Sequence, residues 1–236
     1  MIIDLFSHIG KRKGEFYPVE SLLELENQAN VDKVMICSQL ETIDNEYIFD
    51  CTQRYPDRTI GFAVINPWDM DGEEELERCF RDYKFYGVKM NPIRFGYSAD
   101  RQSLLGPFFE LCSKYGKCMV VHGMSDMFSI PDKWAEMARA YPDVPVILYH
   151  IGAPLMVERC CELAKTIPNF YLSTSGSFVP SIKEAYEYAG PEKIIFSSDA
   201  PFGNPAQEIE KVKFVVKDEE HLDMILCQNA KRILHM

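Results

Sequence analysis

The sequence predicts a (β/α)8 barrel, the TIM-barrel architecture, folded as one compact domain over residues 1–236. Three observations predict it. Short apolar, β-rich runs alternate with amphipathic helical segments along the whole chain, and eight such pairs can be counted. The length of 236 residues suits eight βα units, which typically take about 250. A doubly wound open sheet is the rival, but the turn after the first strand reads "SHIGKRKG", without the glycine fingerprint of a phosphate-binding turn.

In the first half, "MIIDLF" (1–6) precedes a helix in which Val19, Leu22, Leu23 and Leu25 fall on one face. "KVMICS" (33–38) leads into a helix over 43–54, and "TIGFAVI" (59–65) into an acidic helix over 72–83. "YGVKMN" (86–91) stops at Pro92, and a helix over 104–115 follows. The second half keeps the rhythm. "KCMVVHG" (117–123) precedes a helix over 131–140 that starts on a proline, whose fixed φ suits a first turn. "VPVILYHIG" (144–152) precedes 154–166, and "NFYLSTSG" (169–176) precedes 180–189. "KIIFSSDAPFG" (193–203) leads into closing helices over 206–216 and 219–233. No break in composition marks a linker.

Composition limits the partners. Hydrophobic residues make up 47%, enough for a sizeable core, and the net charge of −11 repels a phosphate backbone or an anionic membrane surface. Neither nucleic acid nor membrane is expected as a partner. No apolar run reaches the roughly 18–20 residues of a membrane helix, and the N-terminus lacks the basic and apolar regions of a signal peptide. The eight cysteines include the adjacent Cys160 and Cys161, with Cys37 and Cys118 inside apolar runs. They read as reduced core thiols, which points to the cytoplasm.

In such a barrel, chemistry sits where strands end and βα loops begin. Strand one ends at His8, strand five at His122, strand six at His150 and strand eight at Asp199, while strand four carries Lys89 and Asn91. Three of the five histidines and a carboxylate thus share one rim; His221 and His235 lie on closing helices. Imidazole and carboxylate together suit zinc and neighbouring divalent ions, and an open position on such an ion acidifies water into a nucleophile. One divalent ion, zinc first, is the expected cofactor.

The strand-end set "IDLFSHIG", "GVKMNP", "VVHG", "YHIG" and "FSSDAPFG", with the closing "NAKRIL" (229–234), resembles the amidohydrolase-2 branch of metal-dependent hydrolases. The resemblance runs from Ile3 to Leu234 and implies a barrel with a mononuclear metal site. It makes His8 the second histidine of an Asp-x-His-x-His strand, His122 the strand-five ligand and Asp199 the strand-eight carboxylate, which also takes a proton from the attacking water. It makes His150 the residue that polarises substrate or steadies that water.

The sequence departs from the pattern at Phe6, which stands where the family has its first histidine, and at Asn91, where relatives often have another. Side chains alternate along a strand, so Phe6 shares the His8 face and sits beneath it. Three arrangements stay open: His8, His122 and Asp199 as a three-ligand site, His150 as a fourth ligand, or an empty site that binds an anion. Lys89, Asn91 and Arg94 are weaker candidates for an acidic substrate. Asp4 lies deeper on the His8 face, as an orienting acceptor. Ser197 and Ser198 read as strand hydroxyls, since no "GxSxG" elbow is present. The expected activity is hydrolysis of a small amide, lactone or related bond by metal-activated water, with Asp199 as base. A metal-dependent decarboxylase and a metal-free binding or regulatory barrel are the alternatives, and a homodimer is the expected assembly.

Overall fold

Each of the eight apolar runs forms a strand, and each strand pairs in parallel with the next. The computed structural model describes residues 1–236. The first barrel strand is split into β1 (Ile3–Asp4) and β2 (His8–Arg12), and both pair with β4 (Lys33–Ser38). The sheet then runs through β5 (Thr59–Val64), β6 (Gly87–Met90), β7 (Cys118–Val121), β8 (Val146–Leu148), β9 (Phe170–Ser173) and β10 (Ile194–Ile195). The ring closes between strand eight and strand one. Asp199 N–H donates to the Phe6 carbonyl at 2.9 Å and His8 N–H to the Ala200 carbonyl at 2.7 Å, around a bridge between Ser7 and Ala200. The fold is a (β/α)8 barrel.

The period of two along each strand builds two cores. On β4, Val34 and Ile36 face the helices, while Met35 and Cys37 face the lumen. A cluster of 53 buried residues fills the layer between strands and helices, and a second cluster of 17 fills the lumen. Burying one such aliphatic side chain stabilises by about 1.5–3 kcal/mol, so these layers carry the fold. The closing helix α11 (Asn229–Leu234) adds Ala230, Ile233 and Leu234 to the lumen cluster. A Cβ on Gly87 would overlap the Phe62 ring and come within 2.5 Å of the Cys118 carbonyl, so β6 passes its neighbours where only glycine fits. All eight cysteines are free and buried, as core thiols should be. No helix is long and apolar enough to cross a membrane.

Three elements differ from the sequence expectation. Strand one does not end at His8: β2 continues to Arg12 and folds back as an antiparallel hairpin with β3 (Glu15–Tyr17). The turn residues Lys13 (φ 48°) and Gly14 (φ 88°) take the left-handed pair of angles that suits a two-residue hairpin. Strand six stops at Leu148, and His150 sits in a tight turn over Tyr149–Gly152 with φ 68°. Strand eight keeps only two paired residues before bending toward Asp199, itself at φ 62°. Left-handed backbone at non-glycine residues is costly and clusters where function holds it in place.

Behind the seam, the buried Asp4 accepts N–H bonds from Phe6 at 3.1 Å and Ser198 at 2.9 Å. Its other oxygen, and both oxygens of the buried Glu26 on α1 (Val19–Gln28), meet no donor. Burial raises both carboxyls, Asp4 to about 6 and Glu26 to about 10, with Asp4's charge adding to the second shift. At neutral pH Glu26 therefore keeps its proton while Asp4 is ionised.

Candidate active site

The barrel mouth is built on two opposed walls. On the first, closure of the ring sets His8 beside Asp199, with His8 Nε2 3.9 Å from Asp199 Oδ1. The other ring nitrogen of His8 lies 3.0 Å from the Ser38 carbonyl, which fixes the tautomer with Nδ1 protonated and Nε2 free. The Cys37 thiol sits 3.3 Å from the same Nδ1. On the second wall, His150 Nδ1 donates to the Ser175 carbonyl at 2.9 Å, so Nε2 is again the free nitrogen. Gly176 makes room for this ring: a Cβ there would lie 3.1 Å from Nδ1. His122 packs against His150 with ring centroids 5.4 Å apart, and its Nε2 faces Asp126 at 3.9 Å. Trp134 holds the His122 backbone by an indole bond of 2.9 Å to its carbonyl.

The floor is aromatic and cationic. Phe6 stacks on Tyr149 at 3.7 Å and meets His8 edge-on at 4.7 Å. Tyr149 is pinned by a hydrogen bond of 2.9 Å to the Leu5 carbonyl. Lys89, 1% exposed, places Nζ 4.3 Å from the Phe6 centroid and 4.2 Å from that of Tyr149, with no hydrogen-bond acceptor. Burial pushes the Lys89 amine down, while the charges of Cys37 and Asp199 oppose that shift. Burial lifts Asp199 to about 7, with Lys89 opposing. The imidazoles move the other way. Burial lowers His8 to about 3 and His150 to about 4, and drives His122 down as well, with the Lys89 charge adding in each case. All three are neutral at physiological pH.

The residues singled out from sequence divide accordingly. His8, His122, His150 and Asp199 line the mouth, with Lys89 beneath them. His8 and Asp199 are drawn together, whereas His122 points to Asp126. No three His, Cys, Asp or Glu side chains come close enough together to hold one ion. Asn91 is occupied as the N-cap of the short helix α4 (Pro92–Phe95), accepting the Arg94 N–H at 3.0 Å, and the Arg94 side chain is exposed. Ser197 bonds Ser173 at 2.7 Å and Ser198 accepts the Ala200 N–H at 3.1 Å, so both hydroxyls are structural. Asp4 orients the Phe6 and Ser198 backbone rather than His8. Above the mouth, a cavity of about 290 Å³ is walled by Ile93, Met124, Ala153 and Pro154 beside His122. Trp68, Ile93, Leu155, Phe178 and Phe202 stand exposed on the surrounding loops.

A family model described as amidohydrolase matches residues 15–236. This chain belongs to the amidohydrolase family. The match begins at Glu15, after Phe6 and His8. No curated protein matches the sequence. Among solved structures, the amidohydrolase resembles 2,6-dihydroxybenzoate decarboxylase from Rhizobium, with a TM-score of 0.80, 18% identity, and 99% and 98% of the two chains covered. It also resembles a dihydroxybenzoic acid decarboxylase from Polaromonas sp. JS666 with bound manganese and the inhibitor 2-nitroresorcinol (0.77, 17%, 99% and 96%). A third is 4-oxalomesaconate hydratase from Rhodopseudomonas palustris (0.78, 15%, 100% and 96%). At these identities the likeness is one of fold.

Sequence reasoning on the amidohydrolase missed Tyr149, Asp126 and Ser175. Tyr149 precedes His150 in an apolar run and carried no polar signal. Asp126 stands four residues after His122 in "HGMSD", a spacing that is visible in the sequence but lies beyond the strand end. Ser175 acts through its carbonyl, which no sequence reports.

Proposed function

We propose that this amidohydrolase is a lyase that removes carbon dioxide from a small organic acid in the barrel mouth. The observation that carries the reading is the mouth itself: Asp199 beside His8 on one wall, the free Nε2 of His150 on the other, and the Lys89 amine beneath. In the proposed step the bond to the carboxyl carbon breaks, carbon dioxide leaves, and the electron pair stays on the substrate carbon. Asp199 delivers a proton to that carbon and regains one from water. A carboxyl group raised to about 7 supplies both forms needed for that exchange at neutral pH. His150 and His122, neutral, orient the acid by hydrogen bonds, and the positive charge of Lys89 favours the negative charge that develops. The apolar cavity beside His122 and the exposed rim side chains suit an organic body on the substrate. Two decarboxylases among the similar structures support this reading. The family match supports hydrolysis of a small amide or lactone as the second, with Asp199 taking a proton from water instead of giving one to carbon.

The family and the manganese of one similar structure raise the question of a divalent ion, and zinc is the ion the sequence favours. The donor chemistry in the mouth is suitable, with neutral imidazoles and a carboxylate. The arrangement is not: His8 and Asp199 make a pair, His122 is turned to Asp126, Phe6 takes the place of the missing histidine, and no third donor joins the pair. No step is therefore routed through an ion. The test is a panel of small aromatic and enoic acids scored for carbon dioxide release, beside a panel of amides and lactones scored for acid release. Turnover confined to the second panel replaces the lyase reading with the hydrolase one.

A further inference from the structure

We propose that this barrel works without a divalent ion, and that Lys89, taking a proton when an anionic group enters the mouth, supplies the positive charge of its active centre. The inference rests on the mouth being the reactive centre, as proposed above, but not on the reaction that occurs there.

Three observations point the same way. The first-strand position that would offer a donor beside His8 carries Phe6, whose ring is stacked at 3.7 Å on Tyr149 and 2% exposed. The place is packed with carbon. Next, the remaining donors are not gathered: His8 and Asp199 face each other at 3.9 Å, His122 faces Asp126 at 3.9 Å, and no set of three forms. A catalytic zinc site takes three protein ligands, and a manganese site more oxygen donors still.

The third observation is the amine already present. Lys89 is buried, its Nζ meets no hydrogen-bond acceptor, and it lies at the side of the Phe6–Tyr149 stack, 4.3 and 4.2 Å from the two ring centroids. Burying an amine unpaired is costly and is rarely kept without a purpose. A divalent ion held by His8 and Asp199 would have the protonated form of this buried lysine for a neighbour, and like charges repel more strongly in a protein interior than in water. Phe6 thus removes a ligand position and fills it with carbon, directly beside the buried amine.

The experiment measures metal directly, so it does not depend on finding the substrate. Protein purified without chelator is assayed for metals by elemental analysis, then titrated with manganese and zinc by calorimetry. The series contains the parent, Phe6→His, Lys89→Met and the double variant, with melting curves in chelator and in metal. The parent should carry substoichiometric metal and its melting point should not respond to either ion. Lys89→Met should bind zinc at least about tenfold more tightly than the parent, and the double variant more tightly again. One ion per chain in the parent, lost in Asp199→Asn, overturns the proposal. So does a series in which removal of Lys89 brings no gain in affinity, even with the histidine restored. If Lys89→Met does not fold, Phe6→His and the parent still decide the first point. Failure of the lyase reading would show only in the substrate panels and would leave these titrations unchanged.

Discussion

Glu26→Gln isolates the proton held behind the barrel seam. In the folded chain Glu26 is buried beside the charge of Asp4 and keeps its proton to about pH 10; in the unfolded chain it ionises near 4.5. Between about pH 6, where Asp4 becomes ionised, and about pH 10, folding therefore draws one proton onto this pair. The sign follows: a raised acid pKa gives stability that is complete below the unfolded pKa and is lost as pH rises toward the folded one. The loss is about 1.4 kcal/mol per pH unit for one proton, or about 3 kcal/mol between pH 6 and pH 8. For a chain of this length that is a fall of about 6–12 °C in melting temperature. A glutamine amide fills the same place without titrating, so the gap in melting temperature between Glu26→Gln and the parent should widen in the variant's favour by about 6–12 °C from pH 6 to pH 8, while the other titrating groups act on both proteins alike. The assay is thermal unfolding of both proteins at half-unit steps from pH 6 to pH 9. Parallel curves would refute the proton on Glu26, because two ionised carboxylates or a group already neutral in the unfolded state would leave no difference in slope.

Other predictions concern the mouth and the strands under it. Asp199→Asn should lower turnover of any acid from the substrate panel at least about 100-fold, while the melting temperature stays close to that of the parent, since amide and carboxyl are nearly isosteric. Gly176→Ala should cost about 1–2 kcal/mol of stability from left-handed backbone at φ 61° and should also displace the His150 ring from Ser175. A loss of turnover much larger than the loss of stability, read by kinetics beside denaturant melts, is the expected pattern. Gly87→Ala should destabilise by about 1–3 kcal/mol or more, because the added methyl meets the Phe62 ring and the Cys118 carbonyl; a neutral result in urea unfolding would mean that β6 can shift sideways.

Much of this fold is legible in the sequence, because each strand carries its own period of two and each helix its own apolar face. The helix over 131–140 is found where Pro131 and the spacing of Trp134, Ala135 and Ala138 put it. What the sequence does not report is pairing between distant segments. The β2–β3 hairpin was hidden because "GKRKG" looks like a solvated turn until Phe16 and Tyr17 are seen to pair back onto Lys11 and Gly10. The truncated strand eight depends on Asp4, almost 200 residues away, capturing the Ser198 N–H. At the site, residue types and rim positions identified His8, His122, His150 and Asp199, but not their orientation. That is set by carbonyls at Ser38 and Ser175 and by Asp126, and a carbonyl is common to every residue.

Phe6, Tyr149 and Lys89 close the lumen directly under His8, so the depth of the mouth is a constant of this barrel. Everything that can vary in a guest molecule's size lies above that floor, among loops such as those bearing Met124, Pro154 and Phe202. Selection for a new substrate, in nature or in a library, can then proceed on these loops while the 17-residue lumen cluster stays untouched. Catalytic novelty and foldability are inherited through separate parts of the chain.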